Sequence, residues 1–106
     1  MEVFKDALTL VSYSRDKLTK VNVFDTERMF CDVYGLNPGQ EQTPHAHAGS
    51  DKIYFVLDGC GTFRVGDEER ELAKGYAVLA PAGASHSVRN AGSERLALLV
   101  FMTPKP

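Results

Sequence analysis

Lys52-Ile53-Tyr54-Phe55-Val56-Leu57-Asp58-Gly59-Cys60-Gly61-Thr62-Phe63-Arg64-Val65-Gly66-Asp67 contains two short runs rich in β-branched and aromatic residues, each closed by a glycine-containing turn. Such runs, too short for helices and bounded by Gly and Asp, read as strands. Gly66-Asp67 sits between Val65 and Glu68 and tolerates the positive φ of a tight hairpin, so a third strand is expected over 69–72. The same pattern extends in both directions. Upstream it gives strands over 20–24 and 28–36, and downstream over 77–80, 86–89 and 96–102. Asn37-Pro38-Gly39 and Asn90-Ala91-Gly92 mark further reversals, and Pro104 and Pro106 lack the N–H needed to prolong a ladder. One helical turn over 15–18, capped by Ser14, is the only helix expected. Eight or so short strands in one chain indicate an all-β sandwich or jelly-roll barrel with an interior cavity.

The 106 residues suit one domain, expected as a single unit over 1–106 with an N-terminal segment (1–27) packing on a barrel core (28–102). An apolar fraction of 43% beside 25% charged residues excludes a disordered or fibrous chain. Twelve basic against fourteen acidic residues give a net charge of −2, with no basic stripe, which argues against nucleic acid and anionic membrane as partners. The longest apolar run, 96–102, is far shorter than the ~20 residues of a membrane helix. Charges at Glu2, Lys5 and Asp6 stand where a secretory signal would be apolar, so the expected compartment is the cytoplasm. Cys31 and Cys60 form no Cys-x-x-Cys motif and are expected as core thiols. The apolar stretch 7–11, which has no evident partner, and the edges of a small barrel suggest a homodimer.

All three histidines fall in two segments, Pro44-His45-Ala46-His47 and Pro81-Ala82-Gly83-Ala84-Ser85-His86. Residues two apart on an extended chain share a face, so His45 and His47 can offer nitrogens to one point, with His86 as a third donor. Imidazole binds Fe, Mn, Ni, Cu or Zn at neutral pH without losing a proton. Histidines simply hydrogen-bonded inside a packed barrel are the competing reading. No Ser-His-Asp set, phosphate-cradling loop or convergent carboxylate pair is visible.

The spacing around these histidines resembles the two signature motifs of the cupin superfamily. The first motif is a glycine, five residues, His-x-His, three or four residues, a glutamate, six residues and a glycine. Here Gly39, His45, His47 and Gly59 match it. The second requires Gly, Pro, Gly, His and Asn at fixed intervals, and Gly75, Pro81, Gly83, His86 and Asn90 meet every one. The likeness is to small stand-alone bacterial cupins. It implies a double-stranded β-helix whose metal is held by two His and a Glu of the first motif and one His of the second. His45, His47 and His86 map onto three ligands.

The glutamate position holds Lys52, and the shorter permitted spacing reaches Asp51. In a strand a one-residue shift reverses the face, so Asp51 ligates only if the preceding loop bulges. A charged Lys52 about 6 Å from a divalent cation would cost on the order of 5 kcal/mol at an effective dielectric near 20. Three arrangements remain open. Lys52 points away and the metal has three His plus water, which is favoured; Asp51 replaces the Glu; or no metal binds and the pocket takes an anion. Lys52, Gln42, Tyr54 and Phe63 are the pocket candidates; Tyr34, Phe55 and Phe101 could also line the cavity, though core packing is the favoured role for all five aromatics. Gln42 is expected to be solvated. Arg64 and Arg89 could orient a carboxylate through a bidentate contact, but arginines on strands mostly face water.

The functional expectation is a divalent-metal cupin acting on a small oxygen-bearing metabolite, of dioxygenase or isomerase/epimerase type. The alternative is a non-catalytic small-molecule or sugar-binding cupin with an anion-attracting pocket and no metal. A barrel whose activity resides in a partner is the third reading.

Overall fold

A computed structural model describes residues 2–106; Met1, the first residue of the expected N-terminal segment, lies outside them. Nine strands follow one helical turn: α1 (Ala7–Leu10), β1 (Thr19–Asp25), β2 (Phe30–Leu36), β3 (Glu41–His45), β4 (Asp51–Asp58), β5 (Cys60–Val65), β6 (Glu68–Ala73), β7 (Ala77–Ala80), β8 (His86–Arg89) and β9 (Leu96–Thr103). They form two antiparallel sheets, in the orders β1-β2-β9-β4-β7 and β3-β8-β5-β6. This is the double-stranded β-helix, a jelly roll whose interior lies between the two sheets.

Eight of the nine strands follow from the apolar runs, with ends differing by a residue or two. β3 does not, because Glu41-Gln42-Thr43-Pro44-His45 is polar throughout. It forms because it pairs with β8 at the edge of its sheet, where proline is tolerated. The hairpin between β5 and β6 turns on Gly66-Asp67, with Gly66 at φ +57°.

The helix is placed differently from expectation. Residues 15–17 form bends, and the Ser14 hydroxyl only accepts the Asp16 N–H at 3.2 Å. The Ser14 carbonyl, which a helix there would use internally, accepts the side-chain amides of Asn37 (3.0 Å) and Gln40 (2.6 Å) instead. β1 then begins at Thr19, leaving too few residues to offset helix nucleation.

The single turn lies at Ala7–Leu10. Ala7, Leu10 and Val11 pack on the buried cluster Val23, Cys31 and Val33, on the outer face of the five-stranded sheet. Lys5 pins this segment by donating to the Val23 carbonyl at 2.7 Å. The stretch 7–11 thus has a partner within the chain, which removes one ground for expecting a homodimer. The outer cluster also takes Leu57, Leu99 and Phe101. Phe101 therefore lines the outer face and not the cavity.

The inner core comprises Tyr34, Leu36, Tyr54, Val56, Phe63, Val88, Leu96, Leu98 and Val100. These residues alternate along their strands, as period-two geometry demands. Each fully buried Leu or Val contributes about 1.5–3 kcal/mol. Both cysteines are free thiols, Cys31 buried and Cys60 half-buried. Among the described residues no helix is long and apolar enough to cross a membrane.

Candidate metal centre

In the first motif His45 closes β3 and His47 lies in the loop before β4; in the second His86 opens β8 and Asn90 follows its last residue. β3 pairs with β8 through Gln42 opposite Val88 and His45 opposite His86. Three steps on β3 therefore match two on β8, a bulge at Thr43-Pro44. The extra residue turns both Gln42 and His45 to the inner face despite their odd spacing. The second-motif turn is held by Gly83, at φ +83°, whose N–H donates to the His47 carbonyl at 2.8 Å. That bond ties the two histidine segments together.

The ligand nitrogens of His45, His47 and His86 lie within 4.8 Å of one another. Nitrogens sharing one ion at ~2.1 Å sit about 3–3.5 Å apart, so small side-chain rotations suffice to close the set. The Nδ1 atoms of His45 and His86 each lie 3.0 Å from a backbone carbonyl, of Thr43 and Ala84 respectively. Those acceptors hold the proton on Nδ1 and leave Nε2 with a bare lone pair, the arrangement common to metal-binding histidines. His86 is 2% exposed, and its Nε2 is the sole buried side-chain nitrogen or oxygen among the described residues without a hydrogen-bond partner. Leaving such an atom orphaned costs about 1–3 kcal/mol. The imidazole of His86 is held down to about 4, chiefly by burial, with the Lys52 charge and the other two histidines adding to it. Burial also lowers His45 and His47. All three rings are thus neutral donors at pH 7, and the residues fit a divalent transition metal.

Lys52 does not point away. It lies on the same face of β4 as Tyr54 and Val56, is 2% exposed, and brings Nζ within 3.2 Å of Gln42 Oε1 and 3.5 Å of His45 Nε2. The physical reason is register: Lys52 pairs with Ala80 on one side and Met102 on the other, both buried in the interior. Its ammonium also sits 4.9 Å from the Tyr54 ring and 5.6 Å from the Tyr34 ring, within cation–π range. Burial, and secondarily the charge of Lys20, bring its pKa down to about 8 against the opposing pull of Asp32. It therefore remains mainly an ammonium at pH 7.

Asp51, on the opposite parity, is exposed and accepts the Ala82 N–H at 2.9 Å. It lies outside the histidine cluster and braces the second-motif turn instead. Gln42 is buried, not solvated. Its Oε1 accepts Tyr54 OH at 2.7 Å as well as Lys52, and its amide donates to Tyr34 OH at 3.4 Å. Burial raises both phenols, Tyr34 to about 12 and Tyr54 further, so neither ionises at neutral pH. Phe63 packs on Tyr54 with ring centroids 5.4 Å apart. It also faces a groove of about 760 Å³ between β6 and β7 that none of the histidines lines.

Arg64 and Arg89 face solvent. The first donates to the Gly66 carbonyl and the second pairs with Glu69 at 3.2 Å. Asn90, the last motif residue, is structural: it is buried and donates to the carbonyls of Leu36 (2.9 Å) and Glu94 (2.7 Å). The Gln42–Tyr34–Tyr54 network was the part hardest to foresee, its one sequence signal being a proline between Gln42 and His45 that permits a bulge.

Comparison with known proteins agrees with this geometry. A family model described as "Cupin domain" matches residues 32–102. An uncharacterised protein of Streptomyces coelicolor is 34% identical over 79 residues, which is 73% of this chain and 72% of that one. An oxalate-binding protein of Thermotoga maritima is 30% identical over 85 residues, covering 80% of this chain and 69% of that one. A crystal structure of a Thermus thermophilus protein superposes with a TM-score of 0.94 at 48% identity, covering 97% of this chain and 98% of that one.

Proposed function

The chain belongs to the cupin family, and from that premise we propose that it is a metal-binding cupin whose His45, His47 and His86 hold a divalent transition ion (Fe, Mn, Ni, Cu or Zn) facing a small oxygen-bearing ligand. The observation that carries this reading is the buried, unpartnered Nε2 of His86, in a cluster where His45 Nε2 also presents its lone pair, contacted by the Lys52 ammonium at 3.5 Å. A protein has no stability reason to desolvate a lone pair and leave it empty. A bound ion would supply Lewis-acid polarisation of a ligand oxygen, chemistry that suits dioxygenase or isomerase/epimerase reactions. The residues of the chain orient and enclose. The Thr43 and Ala84 carbonyls fix the ring tautomers, Gln42 and the two tyrosines position the Lys52 ammonium, and the apolar barrel below excludes water. The oxalate-binding relative from Thermotoga maritima supports an oxygen-rich small molecule as the ligand class.

The inward ammonium of Lys52 favours a second reading, a metal-free pocket for an anion. Elemental analysis of untagged protein purified without chelator separates the two, run beside a His45→Ala, His86→Ala double variant. Near one equivalent of a transition metal, lost in the variant, is expected. Absence of metal even after reconstitution would overturn the leading reading and leave the anion pocket.

A further inference from the structure

Two features of the cluster stand together: three neutral imidazoles, and an ammonium where a carboxylate would balance the charge of a cation. Among the described residues Lys52 takes part in no salt bridge, and its polar partners are Gln42 Oε1 at 3.2 Å and His45 Nε2 at 3.5 Å. The second is available only while the lone pair of His45 is uncommitted, because one sp² nitrogen cannot accept a proton and ligate an ion at once. A loaded centre therefore carries excess positive charge and an ammonium that has lost an acceptor, in a buried position where charge interactions are weakly screened.

Resting on the metal-binding reading above, we propose that Lys52 makes metal and a small carboxylate bind as a pair. The carboxylate places one oxygen toward the metal and the other on the Lys52 ammonium, and each ligand strengthens the other. The carboxylate class follows from the donors that remain. Tyr54 OH is committed to Gln42 Oε1 and the Gln42 amide to Tyr34 OH, which leaves the ammonium as the one charged donor beside the ion, with the Tyr34 O–H as a neutral one. A carboxylate needs one such partner, whereas a phosphate brings further charged oxygens that would go unpaired. Lys20, its Nζ 5.1 Å from the Tyr34 ring, adds a second positive charge near the site. Asp32, which accepts the Asn22 amide at 2.9 Å, partly offsets it. Replacing a family glutamate by Lys52 thus transfers the balancing negative charge from the protein to the ligand.

The test is calorimetric titration of Zn²⁺ and Mn²⁺ into metal-free protein, alone and with millimolar acetate, which holds these ions only weakly in water. Metal affinity is expected to rise about tenfold with acetate, and acetate affinity by the same factor with metal, since coupling is reciprocal. Lys52→Met is expected to bind metal more tightly than wild type without acetate and to lose most of the gain with it. An acetate-independent affinity in wild type, or a gain that Lys52→Met retains, overturns the pairing. Equal enhancement by inorganic phosphate overturns the carboxylate assignment. Failure of wild type to bind either metal with or without acetate overturns the metal reading and this proposal together.

Discussion

The two ends of the barrel interior are lined by the same strands and differ only in what those strands carry. At one end Leu36, Val56, Val88 and Leu98 form a dry core; at the other Tyr34, Lys52, His86 and Met102 continue the same inward-facing rows two or four residues away. The backbone geometry is shared, so the fold does not require the polar residues. The apolar end provides cohesion, and the polar end carries an orphaned nitrogen and a desolvated ammonium that weaken the metal-free protein. The stability cost thus falls on the end that carries the candidate metal centre, while the apolar end offsets it.

If the dry end provides the cohesion, hollowing it out is costly. Leu98→Ala is expected to lower the unfolding free energy by about 2–5 kcal/mol in urea titrations, because Leu98 is fully enclosed and the cavity cannot collapse. A loss below 1 kcal/mol would mean that the barrel is held chiefly elsewhere. At the polar end the sign should reverse. Lys52→Met in metal-free protein is expected to gain about 1–3 kcal/mol, since a buried charge without a counter-ion is replaced by an apolar chain of similar length, and thermal unfolding should shift upward by several degrees.

Acidification sharpens the contrast. His86 titrates near 4 when folded and near its ordinary 6.5 when unfolded, so below 6.5 the unfolded chain takes up a proton that the folded one refuses. Metal-free protein should therefore lose stability as pH falls from 7 to 5, by on the order of 1–2 kcal/mol after solvent screening, with His45 and His47 acting in the same direction. His86→Gln should flatten the slope, and an unchanged slope would place the sensitivity outside the cluster. The smallest effect belongs to Asp51→Ala. Loss of the acceptor for the Ala82 N–H should cost about 1 kcal/mol while leaving Lys52 inward, as thermal unfolding and the acetate-linked metal affinity would report.

Most of the architecture was legible because short apolar runs between Gly, Pro and Asn can be buried in few ways. β3 escaped because its five residues are polar and its strand form depends on pairing with β8. The expected helix at 15–18 failed for a related reason: Asn37 and Gln40, more than twenty residues away, take the carbonyl on which it would have depended.

The jelly roll and the clustering of the three histidines could be read from the sequence, since glycine, proline and histidine at fixed intervals constrain the turns locally. Only the tertiary structure decided between Asp51 and Lys52. Lys52-Ile53-Tyr54-Phe55-Val56-Leu57 is apolar on both parities after its first residue, because one face meets the barrel interior while the other is half-buried outside it. Alternation therefore could not mark the inside, and the registers with β7 and β9 did. Gln42 depended likewise on the bulge at Thr43-Pro44, a property of the β3–β8 pairing and not of either strand alone.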